Sequence, residues 1–281
     1  MRRATTALYR CAAILFAASL AASAAAQDAP DGTFIGDVPY VATPQDVVES
    51  MLDLAKVGAG DYVIDLGSGD GRLVVTAAQR GAQGFGVDLD PKRIAESIEN
   101  AKKAGVSERA QFFQRDLFET DFSRATVLTM YLLPDINIAL RPKVLGLKPG
   151  TRVVSHDFHM GDWEPDQRIR MISKLTHYES NAYLWIVPAQ AAGGWQAEGA
   201  DPIRFEISQT FQQIKLQARS ASGSLNAEDA RLTGDRITFK AGVPGGPLRA
   251  YEGRIDGDAI SGVIRDGAKE TPWRARRAAT K

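Results

Sequence analysis

Val63-Ile64-Asp65-Leu66-Gly67-Ser68-Gly69-Asp70-Gly71-Arg72 is the most informative stretch of the chain. A short apolar run leads into glycines at alternate positions, and a helical pattern starts at Arg72. Glycines directly after a strand let the backbone turn sharply and approach a ligand closely, which side chains would prevent. The spacing is Gly-x-Gly-x-Gly and departs from the Gly-x-Gly-x-x-Gly of dinucleotide folds. Asp65 precedes it. A carboxylate there is a poor neighbour for a pyrophosphate and a good one for a ligand carrying positive charge. The same residues would also serve a plain tight connection from strand to helix, so the reading depends on what surrounds them.

Outward from this loop, residues 38–188 alternate helical and strand-like patterns. Val47, Val48, Met51, Leu52 and Ala55 recur at helical spacing behind Thr43-Pro44, with Thr43 expected as the N-cap. Strands are expected at 62–66, 84–88, 111–113, 125–130 and 151–155, and helices at 72–79 and 91–104, the latter stopped by Gly105. Such alternation predicts an α/β fold: a Rossmann-like, doubly wound, mostly parallel sheet covered on both faces. After Pro188 the helical pattern stops. Short alternating segments separated by turns such as Gly234-Asp235 and Asp256-Gly257 predict six to eight strands over residues 194–277, forming a small antiparallel barrel or sandwich. Residues 189–194 are expected to link the two.

The N-terminus has a different character. Arg2, Arg3 and Arg10, an apolar run over residues 11–22 and the small residues Ser23-Ala24-Ala25-Ala26 follow the order of a secretory signal peptide over residues 1–26. The expected location is therefore outside the cytoplasm, in the periplasm, with an inner-membrane anchor as the alternative. The apolar run is shorter than the ~20 residues that span a bilayer, so no stable membrane span is expected after cleavage. Cys11 is the only cysteine of the 281 residues, which excludes thiol catalysis and a disulfide framework in the mature chain. The balance of 34 Lys+Arg against 34 Asp+Glu gives no electrostatic reason to expect a nucleic-acid partner.

Two further acidic residues follow strands. Asp88 ends the second, where a carboxylate can accept hydrogen bonds from both hydroxyls of a ribose, and Asp116 follows the third. Each taken singly is an ordinary turn residue, but with Asp65 they would face one crevice at the carboxyl ends of a parallel sheet.

In these residues the chain resembles the class I S-adenosylmethionine-dependent methyltransferases, over roughly residues 38–187. The closer likeness is to a bacterial group that also resembles the mitochondrial ATP-synthase c-subunit lysine methyltransferases. It rests on Val38-Pro39-Tyr40-Val41-Ala42-Thr43-Pro44, on Asp65 through Arg72, and on Tyr131-Leu132-Leu133-Pro134 after the fourth strand. The resemblance implies S-adenosylmethionine as cofactor. It implies that Asp65, Gly67, Gly69 and Gly71 lie under the methionine part, that Asp88 holds the ribose hydroxyls with Leu89 alongside the adenine, and that Asp116 accepts from the adenine amino group. It also implies a methyl acceptor, a protein lysine or a small molecule. Against the family pattern, the elements after the fifth strand are expected to be compressed into a loop over 156–165, and the β-region and export signal are additions. A cofactor-free binding protein that retains the fold is the alternative these additions leave open.

Methyl transfer from a sulfonium needs an aligned, neutral nucleophile and exclusion of water. A lysine acceptor must first lose a proton. Tyr131, at the end of the fourth strand, is the candidate to hydrogen-bond the acceptor, and His156, at the end of the fifth, the candidate to take up a proton near neutral pH. His156 and His159 are not read as a metal site, because His-x-x-His here lacks the further ligands that zinc frameworks supply.

Overall fold

The computed structural model describes residues 40–198 and 202–278; the segment read as a signal peptide, with Val38 and Pro39, lies outside the described residues. Seven strands, β1 (Tyr62–Leu66), β2 (Gln83–Asp88), β3 (Ala110–Gln114), β4 (Val127–Met130), β5 (Arg152–His156), β6 (Gln167–Ile172) and β7 (Glu179–Ile186), form one sheet in the order β3-β2-β1-β4-β5-β7-β6. The first five are parallel. Here the fully parallel core ends, because β7 runs antiparallel on β5 and β6 antiparallel on β7. Strand order reverses between β1 and β4, which opens a crevice at their carboxyl ends.

The central strands are near-continuous apolar runs because both faces are covered. Val63, Val127 and Val154 pack with α1 (Gln45–Leu54) and α2 (Arg72–Gln79) on one face. Ile64, Leu128 and Val153 pack on the other, with Ile136, Leu140 and Val144 of α4 (Pro134–Leu145). α3 (Pro91–Lys103) starts behind Asp90, whose carboxylate caps the Lys92 N–H. Thr43 does not cap α1: Pro44 occupies that position, and the Thr43 hydroxyl goes instead to His156. No helix among the described residues is long and apolar enough to cross a membrane.

The remaining strands are β8 (Gly193–Ala197), β9 (Arg204–Thr210), β10 (Gln213–Ser220), β11 (Gly223–Thr233), β12 (Arg236–Gly242), β13 (Arg249–Asp256), β14 (Ala259–Asp266) and β15 (Lys269–Arg277), which close into an antiparallel barrel. The β13–β14 hairpin turns at Asp256-Gly257, as the sequence predicts. Inside, Phe239 and Tyr251 stack at 4.7 Å and Trp273 stands edge-on to both. The segment expected as a linker is no free tether. Ala189 and Ala191 are buried in the barrel core, and Gln209 accepts from the Ala191 and Ala192 N–H groups.

Sheet and barrel touch at one place that bears on the site. Phe211, at the β9–β10 turn, stacks on Trp163 at 5.7 Å, and Gln212 accepts from the Trp163 indole and donates to the Glu164 carbonyl. Trp163 belongs to the loop that leaves β5 at His156.

Candidate active site

Gly67, Gly69 and Gly71 all hold positive φ, of 75°, 52° and 79°. At Gly69 a Cβ would fall 2.3 Å from the Tyr40 ring, and at Gly71 2.6 Å from Phe112 and Ser97, so both dihedral and space demand glycine. The loop is anchored to the end of β2: the Gly67 and Ser68 N–H groups donate to the Val87 carbonyl at 2.9 and 2.8 Å. The Gly69 N–H donates to Asp88 Oδ2 at 2.8 Å. Asp88 Oδ1 accepts from the Asp90 N–H at 2.9 Å, which leaves carboxylate lone pairs for further donors. Leu89, the next residue, is exposed.

Asp65 lies beneath this loop and is only 2% exposed. Its Oδ1 accepts from the Thr129 hydroxyl at 2.7 Å. Burial, opposed by that bond and reinforced by the charges of Asp88 and Asp70, pushes its carboxyl up to about 7. Such a group is stabilised in its charged form by a cation brought next to it. Asp116 lies on the same sheet edge, past β3, with Oδ1 accepting from the Phe118 N–H at 2.7 Å in a turn of its own. The structure therefore joins Asp65, Asp88 and the three glycines into one notch, and sets Asp116 at its margin.

Beside the notch, Tyr131 and His156 come together as expected from their strand ends, with ring centroids 4.0 Å apart; Phe158 stacks with Tyr131 at 5.9 Å. His156 is 2% exposed. Its Nδ1 is 3.1 Å from the Thr43 hydroxyl. Nε2 has no hydrogen-bond partner and faces Asp157 Oδ2 at 3.3 Å. Burial holds the imidazole below its ordinary pKa, and Asp157 opposes that shift. Burial and the Asp157 charge raise the Tyr131 phenol. Asp157 adopts φ 57° and accepts from the Asn181 N–H on β7 at 2.7 Å, which fixes its carboxylate beside His156. His159 points its Nδ1 at the Gly161 N–H and serves the loop. Thr43, Thr129 and Asp157 were not singled out from sequence for the site; only the segment around Thr43 carried a signal.

A cradle in which a Cβ has no room, a buried carboxyl poised to pair with a cation, and a carboxylate at the end of β2 fit an adenosyl sulfonium. Together with the strand order, they define a nucleotide-type crevice at a topological switch point. The chain belongs to the class I S-adenosylmethionine-dependent methyltransferases, with S-adenosylmethionine as its cofactor. Within that class, residues 65–167 match the model of the ANTKMT methyltransferase domain. The chain is 46% identical over 158 residues to a protein-lysine N-methyltransferase of Saccharolobus islandicus (strain REY15A), covering 97% of that protein and 55% of this chain. It is 32% identical over 130 residues to the ATP-synthase c-subunit lysine N-methyltransferase of Xenopus laevis, spanning 57% of that relative and 46% of this chain. Among solved structures, an RNA methyltransferase from Salinibacter ruber in complex with S-adenosyl-L-homocysteine is 47% identical with a TM-score of 0.50, matched over 95% of its chain and 53% of this one.

Proposed function

We propose that this methyltransferase modifies a lysine side chain of a protein, presented beside the packed rings of Tyr131 and His156. The observation that carries the reading is the buried Nε2 of His156, without a hydrogen-bond partner and held beside Asp157, on a ring packed against Tyr131 next to the glycine notch. The relatives named as lysine methyltransferases support the same acceptor.

When bound, S-adenosylmethionine supplies an electrophilic methyl on a sulfonium. Gly67, Gly69 and Gly71 would give its methionine part close access to backbone, and Asp65 would pair with the positive charge. Asp88 would accept from the ribose hydroxyls, Leu89 would lie alongside the adenine, and Asp116 would accept from the adenine amino group. On the acceptor side an ammonium has no lone pair, so a proton must leave before transfer. His156, kept neutral by burial, takes it at Nε2, and Asp157 stabilises the imidazolium that results. The Tyr131 hydroxyl hydrogen-bonds the acceptor nitrogen, and the stacked rings of Tyr131 and Phe158 exclude water.

Incubation of the purified protein with methyl-labelled cofactor, cell-envelope protein and RNA tests the acceptor. Label on a protein, mapped by mass spectrometry to lysine, is the expected result. Label confined to RNA would establish the second reading, which the Salinibacter ruber relative favours, and would overturn the first. His156→Ala and Tyr131→Phe are expected to lower kcat by about 100-fold and severalfold respectively, with S-adenosylhomocysteine affinity unchanged. We also propose export; a mature N-terminus near Gln27, read by N-terminal sequencing, checks it.

A further inference from the structure

The three most exposed large apolar side chains of the described residues are Ile172, Leu175 and Tyr178, at 71%, 63% and 77%, and all three sit on the β6–β7 hairpin tip. Strand register places this tip beyond the carboxyl edge of the sheet: His156 pairs with Ala182, and β7 begins three residues earlier, at Glu179. It therefore projects from the same edge as the active site.

The turn is built as a closed unit. Every backbone N–H from Ser173 to Tyr178 donates within the protein: Ser173 to the Tyr178 carbonyl, Lys174 to Asp46, Leu175 and Thr176 to the Ser173 hydroxyl oxygen, His177 to the Ser173 carbonyl, and Tyr178 to the Thr176 hydroxyl. Ser173 itself is buried and donates to Asp46. The tip thus presents apolar side chains with its donors already satisfied, which is the condition for entering lipid.

Charge agrees with one kind of lipid. From Gln167 to Tyr178 the chain carries Arg168, Arg170 and Lys174 and no carboxylate. Arg170 pairs with Glu179, Arg168 bonds Asn181, and the Asp46 carboxylate is taken up by the Ser173 hydroxyl and the Lys174 N–H, which leaves the Lys174 ammonium as the cation at the tip. Lys174 on a flexible stem and Tyr178 with its phenol are side chains suited to the headgroup level. The chain enters the described structure on the same edge, since the Tyr40 ring lies on Gly69, and Val41 beside it is exposed. Ahead of Tyr40, the sequence holds the three arginines and the apolar run of residues 11–22.

We propose that the hairpin tip docks on an anionic bilayer surface, with Ile172, Leu175 and Tyr178 entering the interface and Lys174 meeting acidic headgroups. This brings the active-site edge to face the membrane, and it does not depend on which acceptor is methylated.

The test uses the full chain with Cys11→Ser and Leu175→Cys, labelled at the resulting single thiol with an environment-sensitive dye. Vesicles of phosphatidylcholine containing phosphatidylglycerol are expected to shift the emission to the blue, and spin-labelled lipid to quench it; phosphatidylcholine alone should do so several-fold less. In the unlabelled chain, Ile172→Ser with Leu175→Ser and Tyr178→Ser should cut flotation with anionic vesicles roughly fivefold while S-adenosylhomocysteine binding stays intact. A dye that remains in water while the protein floats would show that only the N-terminal segment attaches, and would overturn the proposal. So would absence of flotation. A blue shift without vesicles, together with a dimer mass by light scattering, would assign the tip to a contact between copies and overturn it equally.

Discussion

Asp65 and His156 are buried ionisable groups whose environments push them in opposite useful directions. The Asp65 carboxyl is raised to about 7, so between its ordinary value and that one the folded protein holds a proton that the unfolded chain has lost. Stability therefore falls as pH rises through this window and stays lower above it. Asp65→Asn is expected to remove that loss: relative to wild type the variant gains on the order of 2 kcal/mol between pH 5 and pH 8 by denaturant titration. A cationic ligand ionises the same group. Binding of S-adenosylmethionine below about pH 7 should release protons, seen as different calorimetric heats in buffers of different ionisation enthalpy. His156 has the reverse sign. Its pKa is depressed, so the unfolded chain binds more protons, and the associated stability is present above the ordinary imidazole range and lost as pH falls through it. Asp65 and the glycines were legible in the sequence because they follow one another in a single strand-to-helix turn, and Asp88 because it ends the next strand. The bond from Thr43 to His156 spans 113 positions and that from Thr129 to Asp65 spans 64, and no local pattern encodes either.

Among the elements, the loop from Asp157 to Asp166 decides how the acceptor side is held. Its start carries Asp157, and its far end is pinned by Trp163, which is fully buried, donates to Gln212 and stacks on Phe211 from the barrel. Arg141 of α4 adds a bond to the Met160 carbonyl at 2.8 Å. Phe211→Ala removes the stacking partner without emptying the core. The expected outcome is a loss of about 1–2 kcal/mol in stability and a kcat lowered roughly tenfold at unchanged cofactor affinity, since the His156–Asp157 geometry loosens. Steady-state kinetics beside a thermal melt separates the two effects. The strands of the sheet core were readable as buried apolar runs. The helix α4 was not, because Pro142 inside it reads as a breaker although Ile136, Leu140 and Val144 keep helical spacing. β6 was missed for another reason: as an edge strand it exposes arginines at alternate positions and half-buries only Ile169 and Met171, so its apolar signal is weak.

For the whole molecule, the relatives described above match between 46% and 55% of this chain, and the barrel is what this protein joins to the methyltransferase fold. Its place and strand range were legible in the alternating segments after Pro188; closure into a barrel followed from pairing of β8 with β15, which is a matter of long-range register. Contacts at Trp163 and Phe211, and the close packing of Gly234 on Gly150 and Ile186, couple barrel and sheet. One cooperative thermal transition is therefore expected, coincident by far-ultraviolet dichroism and tryptophan fluorescence, and splitting in Trp163→Ala. Central to the account is the notch where bare backbone meets Asp65 and Asp88. Isothermal titration of S-adenosylhomocysteine into wild type and Asp88→Ala tests it most directly. The account predicts saturable binding at one site per chain, weakened in the variant by at least ~1 kcal/mol; binding of equal strength in the two proteins, or no heat with wild type, would contradict it.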